Sequence, residues 1–220
     1  MNIIDELKSI INEYNLLTHP FYQAWSQGTL SMDALKDYAI QYYQQVTSFP
    51  RFISSVHSKC DDLETRQELV HNLVDEEIHG KAHPILWLQF AQGLGASTEE
   101  VKNATSYPET EHLVNQFYHL AERDWRDGLC ALFAYESQVP DVAASKIAGL
   151  KQHYGITDRD TLEFFTAHQE YDVEHAGRVA ELIKTKITDK DAAIRATREA
   201  SKAQWIFLDG ICEKHGIACH

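Results

Sequence analysis

The sequence predicts one all-α domain, and three observations carry that prediction. Apolar residues recur at helical spacing almost from end to end. No segment alternates with period two over the length of a strand; Asp127-Gly128 and Asp209-Gly210, which elsewhere would signal hairpins, both sit in helix-period surroundings. The 220 residues, 44% apolar and 24% charged, suit one soluble domain with a real core. No repeat, low-complexity run or flexible linker divides residues 1–220.

The elements follow in order. Ile3, Ile4, Leu7, Ile10, Ile11, Tyr14 and Leu17 form one stripe over residues 3 to 17. Ser31 can cap a long helix carrying Leu35, Tyr38, Tyr42 and Val46, which Pro50 is expected to break or kink. Leu69, Leu73 and Glu76 share one face of a helix near 62 to 79. Gly80 and Pro84 interrupt it, and Leu86, Leu88 and Phe90 mark the next. Gly93-Leu94-Gly95 is a stop, after which Ser97 and Glu100 read as a capping box. Pro108 opens a helix through Leu113, Phe117 and Leu120 that is expected to run past Gly128 to Tyr135. Pro140 starts another that ends near Gly155. Asp160 with Glu163 is expected to cap a helix from 161 to 186, and the last runs from Thr188 to Lys214. The sum is a bundle of roughly eight helices.

Charge and cysteine usage narrow the function. There are 33 acidic residues against 20 Lys and Arg, a net charge of -13. Such a surface repels phosphate, which argues against nucleic acid and anionic membranes as partners. No apolar run approaches the length of a membrane span. The opening Met-Asn-Ile-Ile-Asp-Glu lacks a basic leader, so a cytoplasmic location is expected. Cys60, Cys130, Cys212 and Cys219 form no CxxC pair and are expected as free thiols. Cys212, His215, Cys219 and His220 crowd one end, where a surface metal site is a secondary reading.

Chemistry is suggested by polar residues on inward stripes. His168, Asp172 and His175 stand at offsets 0, +4 and +7, which on a helix puts Asp172 and His175 within about 40° and 20° of His168. Their stripe also carries Phe164, Phe165, Val179 and Leu182, so potential metal ligands occupy a face that should be buried. A buried charge is expensive without a partner, and a cation is a natural one. Glu76 and His83 are seven apart on a second stripe, while Glu76 and His79 match the ferritin-like E-x-x-H spacing. Gly80 and Pro84 disturb the helix between them, so spacing alone leaves His79 and His83 as rivals. Glu136 follows Leu129, Leu132 and Phe133 on a third stripe. Mixed Glu and His sets projecting inward build carboxylate-bridged di-iron centres in helical bundles. Taken singly, a His on an apolar face is more often a hydrogen-bonded core residue, and a Glu beside a Tyr a surface pair. Lys146 falls beside the stripe of Val142, Ala143, Ile147 and Leu150. Lysines there more often snorkel to water; the functional reading is a desolvated amine able to act as nucleophile or base. Tyr22, Tyr38 and Tyr135 lie on or near inward faces, where most tyrosines merely pack.

Four stretches together resemble a known family: His19-Pro-Phe-Tyr22-Gln-Ala-Trp25; Asp75-Glu76-Glu77 leading to His83 and Trp87; Tyr135-Glu136-Ser-Gln-Val-Pro140 with Lys146-Ile-Ala-Gly-Leu150; and His168-x3-Asp172-x2-His175. Their ordered set is similar to the haem-oxygenase-like helical superfamily that includes PqqC and the thiaminase-like TenA proteins, and most of all to its CADD-like branch. The resemblance implies a haem-oxygenase-like bundle with two metal ions, iron or an iron–manganese pair, held by Glu76, His83, Glu136, His168, Asp172 and His175. It thereby favours His83 over His79. TenA proteins use a cysteine nucleophile, and none of the four cysteines lies in a matched stretch.

For the CADD-like branch the implied activity is O2-dependent synthesis of para-aminobenzoate for folate. One of the protein's own tyrosines supplies the ring and a lysine the amino group. Tyr22 matches the sacrificed tyrosine, Lys146 the amino donor, and Tyr38 and Tyr135 further tyrosines of the site. O2 and an external reductant are then the expected co-substrates, and a homodimer is compatible with such a domain. Two other readings compete: a PqqC-like oxidase acting on a diffusible small molecule, and a non-enzymatic helical interaction module whose buried polar residues form a salt-bridge network.

Overall fold

The computed structural model describes residues 2–218, with the side chains of 169–174 left aside. Its described residues form eleven α-helices and one 3-10 turn, with no strand. The helices are α1 (Ile3–Glu13), α2 (Pro20–Gln27), α3 (Met32–Lys59), α4 (Leu63–Glu77), α5 (His83–Gly93) and α6 (Thr98–Asn103). They continue as α7 (Pro108–Arg123), α8 (Trp125–Glu136), α9 (Val139–His153), α10 (Arg159–Lys186) and α11 (Lys190–His215), with the 3-10 turn at Leu16–Thr18. No described helix is long and apolar enough to cross a membrane.

Local chemistry sets the boundaries. Asn2 and Ser97 each close a reciprocal capping box, with Asp5 and Glu100 respectively. His19 caps α2 by accepting the Phe21 N–H on Nδ1, and Gly28 ends that helix at φ 70°, a conformation that favours glycine. Asp124 interrupts the helix expected to run from Pro108 to Tyr135. Its extended backbone ends α7, and its carboxylate caps α8 through the Arg126 N–H. The cap of α10 is Asp158, bonded to the Thr161 N–H, rather than Asp160. The stripe read over residues 3 to 17 is α1 as far as Glu13, followed by the separate 3-10 turn.

Pro50 does not break α3. A proline inside a helix costs about 3 kcal/mol. Here Phe49, Pro50, Phe52, Ile53 and Val56 are all buried, so continuing the helix keeps a full apolar face in the core. That burial, at roughly 1.5–3 kcal/mol for each large side chain, outweighs the lost hydrogen bond.

Within the bundle α11 packs along α7 and α8, α10 along α9 and α5, and α3 against α7, α4 and α5. Trp25, Trp87, Tyr38, Phe21 and Phe165 are among the fully buried side chains. Gly149 of α9 lets α2 approach. A Cβ at this position would stand 2.6 Å from Trp25 Cδ1 and 3.1 Å from the Trp25 carbonyl oxygen. Alanine is the better helix former by about 1 kcal/mol, but the backbone contact cannot yield as a flexible side chain would. Gly149→Ala is therefore expected to lower stability by about 1–3 kcal/mol, read as an earlier midpoint in denaturant unfolding. A neutral or stabilising result would refute the close-approach argument.

Candidate functional site

Three side chains from three helices meet in the core. Glu76 sits at the end of α4, His83 opens α5 and His168 lies mid-way along α10. They are 5%, 3% and 3% exposed, and ligand atoms from all three lie within 4.8 Å of one another. The helix carrying Glu76 does not persist to His83. It stops at Glu77, and the turn through Gly80 at φ 66° brings His83 back beside it. His79 points outward and bonds Asp75, its side chain 63% exposed.

This cluster fits a cation. His83 Nδ1 is 2.8 Å from Glu76 Oε2, yet it is a buried atom that makes no hydrogen bond. His168 Nδ1 lies 2.7 Å from the Phe164 carbonyl oxygen. A carbonyl only accepts, so Nδ1 carries the proton and Nε2 keeps the lone pair, the usual preparation of a ligating imidazole. Burial holds the His168 ring well below its ordinary pKa, with His83 adding to the effect, so the neutral, ligating form prevails.

Glu136, at the end of α8, is 1% exposed. Its Oε1 accepts from Asn72 Nδ2, while Oε2 is buried without a hydrogen-bond partner. Burial pushes its carboxyl up to about 8, opposed by the Asn72 bond and reinforced by the charge of Glu76. A nearby cation would reverse that shift. His175 Nε2 lies 2.8 Å from Asp75 Oδ2. Nε2 donates to the carboxylate, which leaves Nδ1 with the lone pair. Burial works against the Asp75 carboxylate, but bonds from His79 and His175 hold its pKa below the usual range. Asp172 lies outside the residues whose side chains are described.

Beside this cluster sits an amine in an aromatic cage. Lys146 is 4% exposed and does not snorkel to water. Its Nζ donates to Tyr38 Oη at 2.7 Å. It lies 4.9 to 5.8 Å from the centroids of the Tyr22, Trp25, Tyr38, Tyr42, Trp87 and Phe165 rings. Ring faces favour a cation by about 1–2 kcal/mol, but desolvation is larger, and burial brings the amine down to about 7. Tyr22 and Tyr38 share a hydroxyl–hydroxyl bond of 3.1 Å. Burial raises both phenols well above their ordinary pKa, so they stay protonated. Tyr135 Oη accepts from Tyr42 Oη at 2.9 Å.

Tyr42, Asn72 and Asp75 escaped the sequence reading as functional residues. Tyr42 stacks on Tyr38 with centroids 5.4 Å apart and planes 18° apart. Its signal was the i, i+4 spacing from Tyr38. Asn72 stands one turn before Glu76 on the same face of α4. Asp75 was quoted only as part of its motif. The cysteine-rich end forms no site among the described residues. Cys212 is buried, His215 bonds Asp37, and Cys219 and His220 lie outside the described residues. Cys60, Cys130 and Cys212 form no disulfide.

Comparison with known proteins bears on this site. A family model described as iron-containing redox enzyme matches residues 36–206. The 4-aminobenzoate synthase of Chlamydia muridarum is 39% identical over 222 residues, covering 100% of this chain and 94% of its own. That of Nitrosomonas europaea is 42% identical over 223 residues, covering 96% and 91%. A pyrroloquinoline-quinone synthase of Bradyrhizobium diazoefficiens is 22% identical over 96% of this chain and 85% of its own. Among solved structures, a TenA homologue from Pseudomonas syringae superposes with a TM-score of 0.83 at 15% identity, covering 96% of this chain and 91% of that one. A CADD-like protein from Nostoc punctiforme gives 0.72 at 18%, covering 97% and 99%. These structures show a shared haem-oxygenase-like fold.

Two outcomes follow from the geometry. Ferrous iron added to metal-free protein is expected to raise the melting temperature by mass action. His168→Ala is expected to abolish that rise and cut iron content in elemental analysis; an unchanged rise would remove His168 from the ligand set. The second concerns Lys146. Its amine titrates near 7 when folded and near 10.4 when unfolded. The unfolded chain therefore binds more protons between those values, and Lys146 destabilises the fold most below pH 7, less as pH rises towards 10. Lys146→Met is expected to gain about 3–5 kcal/mol at neutral pH, with the gain shrinking by pH 10. A difference that stays constant across that range, in denaturant titrations of both proteins, would contradict the depressed amine.

Proposed function

The chain belongs to the family of iron-containing redox enzymes with a haem-oxygenase-like fold, and from that premise we propose that it is an O2-dependent 4-aminobenzoate synthase that consumes its own side chains. Tyr22 supplies the ring and Lys146 the nitrogen. Glu76, His83, Glu136, His168, Asp172 and His175 would hold two metal ions, iron or an iron–manganese pair. Bound there, the metals would supply reduction of O2 to an oxidant able to attack a phenol. O2 and an external reductant are the co-substrates.

The observation that carries the reading is the size of the cavity. The space between Tyr22, Tyr42, Tyr135, Lys146, Phe164 and Phe165 measures about 20 Å³. That is room for one water-sized molecule. It suits O2, and in this conformation the only aromatic rings beside the amine are the chain's own. Among the tyrosines, Tyr38 places its ring centroid 4.9 Å and Tyr22 5.3 Å from Lys146 Nζ.

The chain's residues have defined tasks. The rings around the cavity exclude water, which would quench an oxidant. Tyr38 stands between the reactants, its hydroxyl bonded to both Lys146 Nζ and Tyr22 Oη. It can take a proton from the Tyr22 hydroxyl and exchange one with the amine. Burial keeps the amine able to lose its proton near neutrality, as a nucleophile must. The Tyr22 ring and its Cβ contain all the carbon of the product. Breaking the Cα–Cβ bond with one O2 places two oxygens in the new carboxylate, and hydrogen on Cα leaves a glycyl residue. Exchange of amine for hydroxyl on the ring is redox-neutral, with the oxygen passing to Lys146 Cε.

The test uses protein grown with ring-deuterated tyrosine, loaded with iron and exposed to reductant and O2. Labelled 4-aminobenzoate is expected, together with loss of the Tyr22 side chain in peptide mass spectra. Tyr22→Phe, which removes the phenol, is expected to reduce product at least tenfold. Product formed from an added small molecule by full-mass protein would replace this reading with a PqqC-like one.

A further inference from the structure

On one side the cavity beside Lys146 is separated from solvent by a thin wall. Leu16, Val139, Val142 and Ala143 line its inner side. On the outer side lies a groove of about 190 Å³, bordered by Lys8, Asn12, Leu17, Gln138 and Asp141. Val142 faces both spaces, and the neighbours Leu16–Leu17 and Gln138–Val139 put one residue on each side. The wall is thus one layer of side chains thick. Three other lining residues have a second ring against them: Phe90 lies at 4.7 Å from Phe165, Trp87 at 4.7 Å from Phe164, and Phe207 at 5.3 Å from Tyr42.

One side chain ties this wall together. Gln138 Oε1 accepts the Leu16 N–H at 3.0 Å, joining segments 122 residues apart, and its Nε2 donates to the Ala134 carbonyl at 3.3 Å. The 3-10 turn carrying Leu16 is otherwise held by local bonds, among them Leu17 N–H to Asn15 Oδ1 and Thr18 Oγ1 to the Asn15 carbonyl. Short turns of that kind open at lower free energy than packed helices.

We propose that this wall is the door of the reaction cavity, with Gln138 as its latch: O2 enters through the groove, and the aromatic acid made inside leaves by it. The identity of the leaving molecule rests on the synthase reading; the door does not. The cavity is far smaller than any benzoate, so a product formed from a core side chain must displace part of its surroundings to escape. The single-layered wall yields with one hydrogen bond broken, whereas the double-backed walls require two ranks of rings to move.

The experiment measures access to Lys146 in the folded, full-length protein. Formaldehyde with cyanoborohydride methylates amines, and peptide mass spectrometry reads Lys146 against the exposed Lys102. Methylation of Lys146 is expected to be at least fivefold faster in Gln138→Ala and Leu16→Ala than in the parent. Gln138→Glu, which can still accept the Leu16 N–H, is expected to stay near the parent rate. Leu162→Ala, under a separate groove on the outer face of α10, is expected to change nothing. Circular dichroism confirms folding, and Gln138→Ser serves if Gln138→Ala is unfolded. Equal rates throughout, or acceleration by Leu162→Ala alone, would overturn the door. In iron-loaded, O2-treated protein, 4-aminobenzoate retained through gel filtration should fall in Gln138→Ala and rise in Val142→Phe. If the parent makes no 4-aminobenzoate while methylation still follows the latch, the synthase reading fails and the door stands. Product made with methylation indifferent to the latch sinks the door alone.

Discussion

Two carboxylates buried within electrostatic reach of each other, Glu76 and Glu136, are the constraint on which this molecule turns. Each is almost wholly removed from water, and packing does not offset the desolvation of an unpaired ion. A protein can meet that cost by protonating the groups or by sharing a cation between them. The surroundings suit the second solution. Both neighbouring imidazoles are buried, the His168 ring is held neutral with its lone pair turned inward, and unpartnered donor atoms remain on His83 and Glu136. The helical frame serves that need: α4, α5 and α10 each deliver one residue to the cluster, no two of the three sharing a helix, and Glu136 of α8 lies within reach of the charge of Glu76.

The frame was largely legible because helical periodicity is a property of each segment alone. Stripes located the core faces, and the stripe through His168 and His175 placed polar residues on a buried face. What failed was local competition between signals. Pro50 reads as a breaker until the burial of its neighbours is known. Asp124 reads as an ordinary helical residue until its backbone turns extended. Asp160 reads as the cap of α10 until the Thr161 N–H is found bonded to Asp158.

The site was legible in part, and the missing part has a physical reason. Glu76 and His83 were paired on a helix that stops between them, so the geometric premise was wrong although the turn at Gly80 brings them together. Spacing could not decide between His79 and His83, since the decision belongs to a turn. Tyr42, Asn72 and Asp75 were invisible because their roles are relational. Asn72 matters only for the oxygen of Glu136 it reaches, and Asp75 only for the two imidazoles it joins. A lone sequence reports residue type and face, not which partner stands opposite.

Lys146 shows how the chemistry and the fold constrain each other. A buried amine destabilises the fold at neutral pH, and a core built only for stability would replace it with an apolar side chain. Its cage of rings shields it from water and, among the described residues, offers it no carboxylate within hydrogen-bond reach, an arrangement suited to making a neutral nucleophile and poorly suited to rapid exchange with solvent. An enzyme turning over many substrates would suffer from such a sealed site. A protein that spends its own tyrosine does not, because its aromatic substrate is already seated and only small co-substrates have to enter. On the proposed reading the same logic limits the protein to one use. Removing the Tyr22 ring leaves a large hole among Phe21, Trp25 and Tyr38, and loss of a buried aromatic costs about 3–5 kcal/mol. On the proposed reading the spent chain is therefore less stable than the one that began, and the reaction marks its own product protein for unfolding.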